Sequence, residues 1–364
     1  MRVLLLSPTM EVAGAERIVV ALARHLAAGG HEVTVAAPPG PLDDELATAG
    51  VARRLLADRQ RSRIGAARAA AAVAGAIRAG RPTVVHAHNP KMAAVAAAAR
   101  RAVPGLAPPL LATFHGGDRE DDPAAARLLR RADHLVCVED GLRSRMVAHG
   151  CRPDRTEVIV NGVAPALAPD DPALARLDAE LGLTGPVVAA VGTLHAGKAV
   201  DRIVRAAAIV TAAEPGARAL VVGDGPERGA LEALASSLGL GDRIRFLGVR
   251  RDAAALIQRA DVVVSTSRSE GLSLAALEAL GAGTPLVAPD VGGMRRLLGS
   301  GAGVLLADTE PGTVAAAVLA VLRSPDRGRA MGERGRALVA AHHGRGAMLD
   351  AYEALYADLA RAAP

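Results

Sequence analysis

Short apolar runs alternate with longer alanine-rich stretches along most of this chain. The apolar runs are rich in Val, Leu and Ile and are bounded by Gly, Pro or charged residues, which is typical of strands buried on both faces. The alanine-rich stretches between them have the length of helices. Strands that alternate with helices in this way predict βαβ units around a parallel sheet.

The pattern predicts two sets of strands, one in each half of the chain. The first set is Arg2–Ser7, Glu32–Ala36, Thr83–His86, Leu110–Phe114, His134–Val138 and Glu157–Val160. The second set is Pro186–Val191, Ala219–Val222, Arg243–Leu247, Val262–Ser265, Pro285–Ala288 and Gly303–Leu305. Helices such as Glu16–Ala28 and Leu272–Leu280 fill most of the gaps. The fold class is therefore α/β, with two doubly wound domains.

The boundary between the two domains is predicted near residues 163–172, where Pro165, Pro169 and Pro172 interrupt any helix. This assigns residues 1–164 to a first domain and 165–346 to a second. The last segment, 347–364, follows a loop-like break and reads as an amphipathic helix that packs away from the second sheet. Its apolar stripe is Met348, Leu349, Tyr352, Leu355, Tyr356 and Leu359.

Composition narrows the class of ligand. Aromatic residues make up only 1% of the chain, which argues against a nucleic-acid binder that stacks bases on aromatic rings. The net charge of +5 favours anionic partners such as phosphates, nucleotides or a membrane surface. The only two cysteines, Cys137 and Cys151, favour a reducing compartment. The apolar start is too short for a signal peptide or a membrane helix, so a cytoplasmic location is expected.

The strongest chemical signal is the segment from Ser265 to Glu278, where a buried strand runs into a turn and a helix is predicted to begin near Gly271 and Leu272. Unpaired N–H groups at a helix start can hold a diphosphate. Glu270 lies in the loop at that end, and Glu278 follows ~12 Å further along a helix. The two carboxylates are suited to the sugar and ribose hydroxyls of a nucleotide sugar. The alternative is a helix cap and a solvated charge.

The segment resembles the glutamate pair of the retaining GT-B glycosyltransferases of glycosyltransferase family 4, also called glycosyl transferases group 1. Further matches follow in the family's order along nearly the whole chain. They are Ala13-Gly14-Ala15-Glu16-Arg17, His86-Ala87-His88, Thr113-Phe114-His115-Gly116, Asn161-Gly162-Val163, Gly192-Thr193-Leu194-His195-Ala196-Gly197-Lys198, Gly223-Asp224-Gly225-Pro226-Glu227, Phe246-Leu247-Gly248 and Gly281-Ala282-Gly283-Thr284-Pro285.

The resemblance implies a GT-B fold, in which two Rossmann-like domains face each other across a cleft and the C-terminal helix crosses back to the first domain. It makes residues 1–164 the acceptor-binding domain and 165–346 the donor-binding domain. It also implies that His115 and Glu270 act on the transferred sugar as catalytic residues. The donor-binding residues that it implies are Gly14, Thr193, Lys198, Gly248, Val249, Gly271, Leu272, Ser273 and Glu278.

By the same resemblance, the reaction is a metal-independent transfer with retention of configuration at the sugar carbon, and no cofactor takes part. The donor expected first is a UDP-sugar, then GDP-mannose, with a hexosyl or N-acetylhexosaminyl group transferred. The acceptor stays open among a glycan, a lipid-linked saccharide and a small molecule. A non-catalytic nucleotide-sugar binding relative and a nucleotide-sugar epimerase of the same fold remain alternatives.

Three of these sequence features allow a second interpretation. His86 and His88 suit a metal site, but no third ligand has suitable spacing, so structural or acceptor-side roles are expected. Gly223-Asp224-Gly225 is a weak match to a dinucleotide fingerprint. Thr193 stands where the family commonly has arginine, so either another cation such as Arg202 or His195 supplies the charge, or donor binding and turnover are weaker.

The arginines of residues 51–82 suit either a solvated surface or peripheral contact with the inner face of a membrane. They are Arg53, Arg54, Arg59, Arg61, Arg63, Arg68, Arg78 and Arg81.

Overall fold

The computed structural model describes residues 1–56, 62–168 and 170–362, without the side chain of Arg63. Contacts between Cα atoms divide the chain into two compact units. The first unit is Met1–Val160 together with Gly346–Pro364, and the second unit is Asn161–Arg345. The division falls a few residues before the predicted boundary at 164/165, and the C-terminal segment belongs to the first unit.

The first unit is built on a seven-stranded parallel sheet in the order β3-β2-β1-β4-β5-β6-β7. Its strands are β1 Arg2–Leu6, β2 Glu32–Ala37, β3 Ala52–Leu55, β4 Val84–Ala87, β5 Leu110–Phe114, β6 His134–Cys137 and β7 Thr156–Val158. Its helices are α1 Gly14–Ala28, α2 Asp43–Thr48, α3 Arg63–Gly80, α4 Pro90–Arg101, α5 Asp122–Leu129 and α6 Asp140–Ala148, and it also holds the last helix of the chain, α15 Arg345–Ala362.

The second unit is built on a six-stranded parallel sheet in the order β10-β9-β8-β11-β12-β13. Its strands are β8 Val187–Val191, β9 Arg218–Val222, β10 Ile244–Gly248, β11 Val262–Val264, β12 Leu286–Pro289 and β13 Gly303–Leu306. Its helices are α7 Pro172–Leu181, α8 Val200–Ala213, α9 Arg228–Ser237, α10 Ala253–Arg259, α11 Leu274–Ala282, α12 Met294–Leu298, α13 Pro311–Leu322 and α14 Pro325–His342.

Both sheets confirm the predicted α/β class, with one correction in the first unit. The edge strand β3, with the sequence Ala-Arg-Arg-Leu, was not among the predicted strands. An edge strand needs fewer apolar residues, because one side lacks a neighbouring strand. Here the guanidinium of Arg53 donates hydrogen bonds to the carbonyls of Val35 and Pro38, at 3.0 and 3.1 Å. The apolar pattern therefore could not reveal this strand.

Each sheet has a point where the strand order reverses, and both lie near the centre. In the first unit the reversal falls between β1 and β4, and in the second between β8 and β11. Ligands of open α/β sheets bind outside the carboxyl ends of the strands at such points. The loops that follow these strands carry most of the residues that the sequence singled out.

Helix α15 packs on the first unit through the predicted apolar stripe. Met348, Leu349, Tyr352 and Tyr356 are buried, and the two tyrosines are 1% and 0% exposed. Leu355 and Leu359, also predicted for the stripe, are only half-buried. The stripe confirms that this helix is part of the first unit's core.

Candidate functional site

Two loops of the second unit line a single pocket at the reversal point of its sheet. One loop follows β8 and contributes Gly192, Thr193 and Lys198, and the other follows β11 and contributes Glu270 and Ser273. The pocket thus brings together four of the predicted site residues, which are Thr193, Lys198, Glu270 and Ser273. Among the described residues that line it, Lys198 supplies the cationic side chain, and neither Arg202 nor His195 lines it.

Lys198 and Glu270 form an ion pair in this pocket. Nζ of Lys198 lies 2.5 Å from Oε1 of Glu270, and the side chains are 26% and 12% exposed. A charge-assisted hydrogen bond at a half-buried site holds both side chains in place more firmly than a surface pair would. A cation and an oxygen acceptor therefore stand side by side, which suits a ligand with a phosphate next to a hydroxyl-bearing ring.

The loop that carries Lys198 contains a residue in an unfavourable backbone conformation, and hydrogen bonds hold it there. Ala199 has φ +47°, in the left-handed region that costs a residue with a Cβ about 1–2 kcal/mol. The buried Thr266 donates its hydroxyl to the carbonyl of Ala199 at 2.8 Å. The N–H of Arg268 donates to the carbonyl of Gly197 at 2.8 Å. These bonds tie the Lys198 loop to the Glu270 loop, and sequence reasoning did not identify Thr266 because it is a generic polar residue.

The Gly223-Asp224-Gly225 segment supports the pocket by close backbone packing. A Cβ on Gly223 would lie 2.0 Å from the carbonyl oxygen of Gly192, and one on Gly225 would lie 2.3 Å from that of Leu194. The N–H of Leu194 donates to the carbonyl of Asp224 at 2.9 Å. Both glycines are therefore explained by contact between two loops, with no need for the dinucleotide fingerprint.

Gly248 ends β10, the strand at the edge of the sheet, and Val249 follows it. Gly248 has φ +65°, which favours glycine, and its carbonyl accepts from the N–H of Gly223 at 2.8 Å. Val249 is 48% exposed. The two residues do not line the pocket that contains Lys198 and Glu270.

The structure corrects the predicted start of the helix after Glu270. Helix α11 begins at Leu274, because Ser273 has an extended backbone and its hydroxyl accepts from the N–H of Ala276 at 3.4 Å as the N-cap. Gly271 and Leu272 therefore belong to the loop. The ~12 Å separation of Glu270 and Glu278 along one helix does not hold, since the chain between them is helical only from Leu274 onwards.

The loop with Gly271 and Leu272 is fixed by its neighbours. The buried Asn161 donates from Nδ2 to the carbonyl of Leu272 at 2.6 Å. The N–H of Gly293 donates to the carbonyl of Gly271 at 3.0 Å. Leu272 itself is 3% exposed, so its side chain belongs to the core, and neither Gly271 nor Leu272 is among the residues that line the pocket.

Glu278 lies inside α11 and is half-buried, and it is not among the residues that line the pocket.

Gly14 is the first residue of α1 in the first unit and is exposed. Two residues later, Glu16 is buried, and it accepts a hydrogen bond from the Thr9 hydroxyl at 2.6 Å. Burial raises the pKa of Glu16 above its usual value.

His115 follows β5 in the first unit and is partly buried. Burial lowers the pKa of His115 to about 4, so the imidazole is neutral at physiological pH. Two residues later, the carbonyl of Gly117 accepts a hydrogen bond from Arg145 at 3.2 Å, and Arg145 also binds both carboxylate oxygens of the buried Asp122 at 2.6 Å. Sequence reasoning missed this pair, since charged residues on two helices carry no signal of their contact.

His86 and His88, for which the sequence predicts structural or acceptor-side roles, are both buried in the first unit. His86 is hydrogen-bonded to Tyr356 and Thr113, and His88 contacts His115. No group of three or more His, Cys, Asp or Glu side chains that could hold a metal ion occurs within residues 1–56, 62–168 and 170–362. The same part of the chain contains no helix that is long and apolar enough to cross a membrane.

Comparison with protein families and relatives agrees with these features. The family model of glycosyl transferases group 1 matches residues 176–338, and that of Glycosyltransferase Family 4 matches residues 12–167. A D-inositol 3-phosphate glycosyltransferase of Nocardia farcinica is 36% identical over 247 residues, which are 63% of this chain and 54% of the relative. The chain spans about half the length of the curated relatives it matches.

Solved structures share the fold. The Anabaena protein Alr3699/HepE in complex with UDP and glucose has a TM-score of 0.85 at 21% identity and covers 98% of this chain and 100% of its own. The sucrose-phosphate synthase of Thermosynechococcus elongatus has a TM-score of 0.82 at 22% identity and covers both chains completely. The fold is that of the GT-B glycosyltransferases. The chain belongs to the glycosyltransferases of family 4.

Proposed function

We propose that the protein is a retaining glycosyltransferase that moves a hexosyl or N-acetylhexosaminyl group from a nucleotide diphosphate sugar to a hydroxyl acceptor without a metal ion. The observation that carries this proposal is the Lys198–Glu270 pair in the pocket between the ends of β8 and β11. UDP-sugars are the first donor candidates and GDP-mannose the second. The Anabaena protein of the same fold has been crystallised with UDP-glucose, which supports this order.

Lys198 stabilises the diphosphate in this proposal. As the bond between the sugar carbon and the phosphate oxygen breaks, negative charge grows on the leaving phosphate, and a fixed ammonium nearby stabilises it. The backbone N–H groups around Gly271, Leu272 and Ser273, where α11 begins, add donors for the same charge. These groups supply the positive charge that a metal ion would otherwise supply. Thr193 adds a neutral hydroxyl at the pocket wall.

Glu270 holds the transferred sugar by accepting hydrogen bonds from its hydroxyls, and Glu278 acts on the ribose. The acceptor oxygen forms its bond to the sugar carbon on the face that the phosphate leaves, and its proton passes to a leaving phosphate oxygen, so charge and atoms balance. His115 acts as a neutral hydrogen-bonding group at the sugar, because its lowered pKa of about 4 excludes the imidazolium form. Gly14, Gly248 and Val249 complete the donor site.

The acceptor is a glycan, a lipid-linked saccharide or a small hydroxylated molecule. The names of the curated relatives favour the last class, since they describe glycosyl transfer to D-inositol 3-phosphate. A phosphorylated cyclitol also fits the net positive charge of the chain.

A cytoplasmic location with peripheral contact to an anionic membrane is a further part of the proposal. Exposed residues Leu55, Ile64, Arg68, Arg78 and Arg81 give the region around α3 an apolar and basic surface. Arg53, in contrast, is bound to Asp43 and two carbonyls and is not available for lipids. Arg59 and Arg61 and the side chain of Arg63 lie outside the described residues. Co-sedimentation with vesicles that contain phosphatidylserine, compared with neutral vesicles, tests this contact.

The reaction is tested by release of free nucleotide diphosphate in EDTA. UDP-glucose, UDP-N-acetylglucosamine and GDP-mannose are each incubated with the protein, with and without inositol 3-phosphate, a glycan or a lipid-linked saccharide. Release that requires one acceptor supports the transferase. Tight binding of a donor that is never cleaved would contradict the transferase proposal and support a non-catalytic nucleotide-sugar binding protein. Nucleotide release without any acceptor would instead support the epimerase alternative.

A further inference from the structure

Three histidines lie in line at the carboxyl ends of two neighbouring strands, β4 and β5, in the first unit. The ring centroids of His86 and His88 are 4.0 Å apart. Those of His88 and His115 are 5.6 Å apart, with the ring planes inclined by 14°. Nδ1 of His88 lies 3.3 Å from Nε2 of His115. At that distance one of the two nitrogens carries a proton and donates it to the other.

All three imidazoles are neutral. Burial lowers the pKa of His86 and of His88 well below the usual value, and it lowers the pKa of His115 to about 4. A neutral imidazole has one N–H donor and one acceptor nitrogen. The hydrogen bond between His88 and His115 therefore fixes which nitrogen of His115 keeps the proton, once the donor of that bond is known.

The buried outer nitrogen of His88 indicates the direction of this bond. Within the described part of the chain, Nε2 of His88 is buried and has no hydrogen-bond partner. If Nε2 carried the proton, a buried N–H donor would be unpaired. If Nδ1 carries it, only a lone pair is unpaired. Among buried backbone groups an orphaned donor is rarer than an under-satisfied acceptor, and the same desolvation argument holds for an imidazole.

We propose, on the basis of the proposed function, that His88 is a positioning residue that donates from Nδ1 to Nε2 of His115 and so holds His115 as the tautomer protonated on Nδ1. The Nδ1–H group of His115 is then the hydrogen-bond donor that the protein offers to an oxygen of the substrate. His88 itself does not touch the substrate in this account. It acts only through the ring of His115.

The surroundings of His88 explain how it can hold another ring in place. The N–H of His88 donates to the carbonyl of Leu6 at 3.0 Å, which fixes its backbone beside β1. His86, which packs against the ring of His88, is bound at Nδ1 by the Tyr356 hydroxyl at 2.6 Å and at Nε2 by Thr113 at 2.8 Å. Tyr356 belongs to α15, so the last helix of the chain helps to set the position of the histidine pair.

Two substitutions separate this role from simple packing. In His88→Asn the amide occupies the place of Nδ1 and keeps a hydrogen bond to His115. In His88→Gln the amide moves towards the place of Nε2 and the bond is lost. We expect kcat to fall about 10–100-fold in His88→Gln, with the donor KM within about twofold, and we expect His88→Asn to recover most of the loss. The affinity for UDP, measured by calorimetry, should be unchanged in both variants.

The tautomer itself is measured by nitrogen NMR of protein labelled with ¹⁵N-histidine at pH 7.5, with the His115 signals assigned by their loss in His115→Gln. The wild-type protein should show His115 protonated on Nδ1, and His88→Gln should show a changed or mixed tautomer. A wild-type His115 protonated on Nε2 would overturn the proposal, as would equal kcat values for the Asn and Gln variants. The wild-type spectrum needs no substrate and no variant of His88, so it decides the proposal even if transfer activity is absent or His88→Gln does not fold.

Discussion

Nζ of Lys198 and Oε1 of Glu270 lie 2.5 Å apart, although 72 residues separate them in the sequence. The two side chains come from loops after β8 and β11, the strands at which the sheet order reverses. Glu270 neutralises much of the lysine's charge, so an incoming diphosphate has to compete with this carboxylate for Lys198. If the diphosphate binds at Lys198 as proposed, donor binding is therefore expected to displace Glu270 from the lysine.

This competition predicts opposite effects for the two members of the pair. Glu270→Gln should bind UDP about 3–10-fold more tightly, because the lysine is released, while transfer falls at least about 100-fold with the loss of the sugar-binding carboxylate. Lys198→Ala should weaken UDP binding at least about tenfold, or about 1.4 kcal/mol. Calorimetric titration measures both affinities.

The control for this pair of variants is Lys91→Ala. Lys91 is the only other lysine of the chain and is exposed on α4 in the first unit. Its removal subtracts the same charge and should leave UDP affinity unchanged. If Glu270→Gln weakens UDP binding as much as Lys198→Ala does, Glu270 is not competing with the diphosphate and that part of the account is wrong.

Thr193 offers a gain-of-function test. Its exposed side chain lines the pocket, and an arginine there would place a second cation near the diphosphate. Thr193→Arg should tighten UDP binding about tenfold, and Thr193→Gln, which has a long side chain but no charge, should not. A Thr193→Arg protein with unchanged affinity would show that the diphosphate lies elsewhere.

The strands and the start of α11 show how much of the fold can be predicted from the sequence. The apolar runs predicted twelve of the thirteen strands found in the described part of the chain, because buried parallel strands need continuous Val, Leu and Ile. The exception was β3, whose arginines at the sheet edge give no apolar signal. The start of α11 was two residues early, because Gly271 and Leu272 match a helix start and only the backbone at Ser273 shows that the cap lies later.

Long-range contacts at the site could not be predicted from the sequence. The family resemblance supplied Lys198 and Glu270 as candidates, but not their ion pair. Thr266 and Asn161, which hold the Ala199 and Leu272 carbonyls, are common polar residues whose partners are fixed only by the fold. The contact of His88 with His115 likewise depends on the register of β4 and β5.

The left-handed backbone at Ala199 predicts a change in stability. In Ala199→Gly the cost of this conformation is removed, which should outweigh the greater freedom of glycine in the unfolded chain and stabilise the protein by up to about 1 kcal/mol. Arg81→Gly is the comparator, because Arg81 has φ +43° at the end of α3, away from the Lys198 loop. Urea unfolding measures both variants. A loss of stability in Ala199→Gly alone would mean that the Ala199 methyl group contributes more by packing than its backbone costs.

The buried histidines predict a pH dependence of stability. A histidine of the unfolded chain has a pKa of about 6.5, and burial lowers the pKa of His115 to about 4 in the folded protein. Between these values the unfolded chain binds more protons than the folded one. The contribution of these neutral histidines to the free energy of unfolding is therefore fully present above about pH 6.5. It is lost as the pH drops towards 4, by up to about 3 kcal/mol for His115 alone.

Urea unfolding at pH 7.5, 6.0 and 5.0 tests this dependence, with His88→Gln and His149→Gln as variants. His88 is buried and its pKa is lowered by burial, so its replacement should flatten the profile. His149 is exposed after α6, and its replacement should leave the profile unchanged. A wild-type stability that stays constant from pH 7.5 to 5.0 would contradict the neutral histidine cluster.

The central claim, a metal-free site for a nucleotide diphosphate at Lys198, is tested most directly by calorimetric titration of the wild-type protein with UDP, GDP, ADP and TDP in EDTA. The account predicts that one of the four, UDP first and GDP second, binds with the same affinity in EDTA as in Mg²⁺. Binding that disappears in EDTA, or no binding of any of the four, would contradict it.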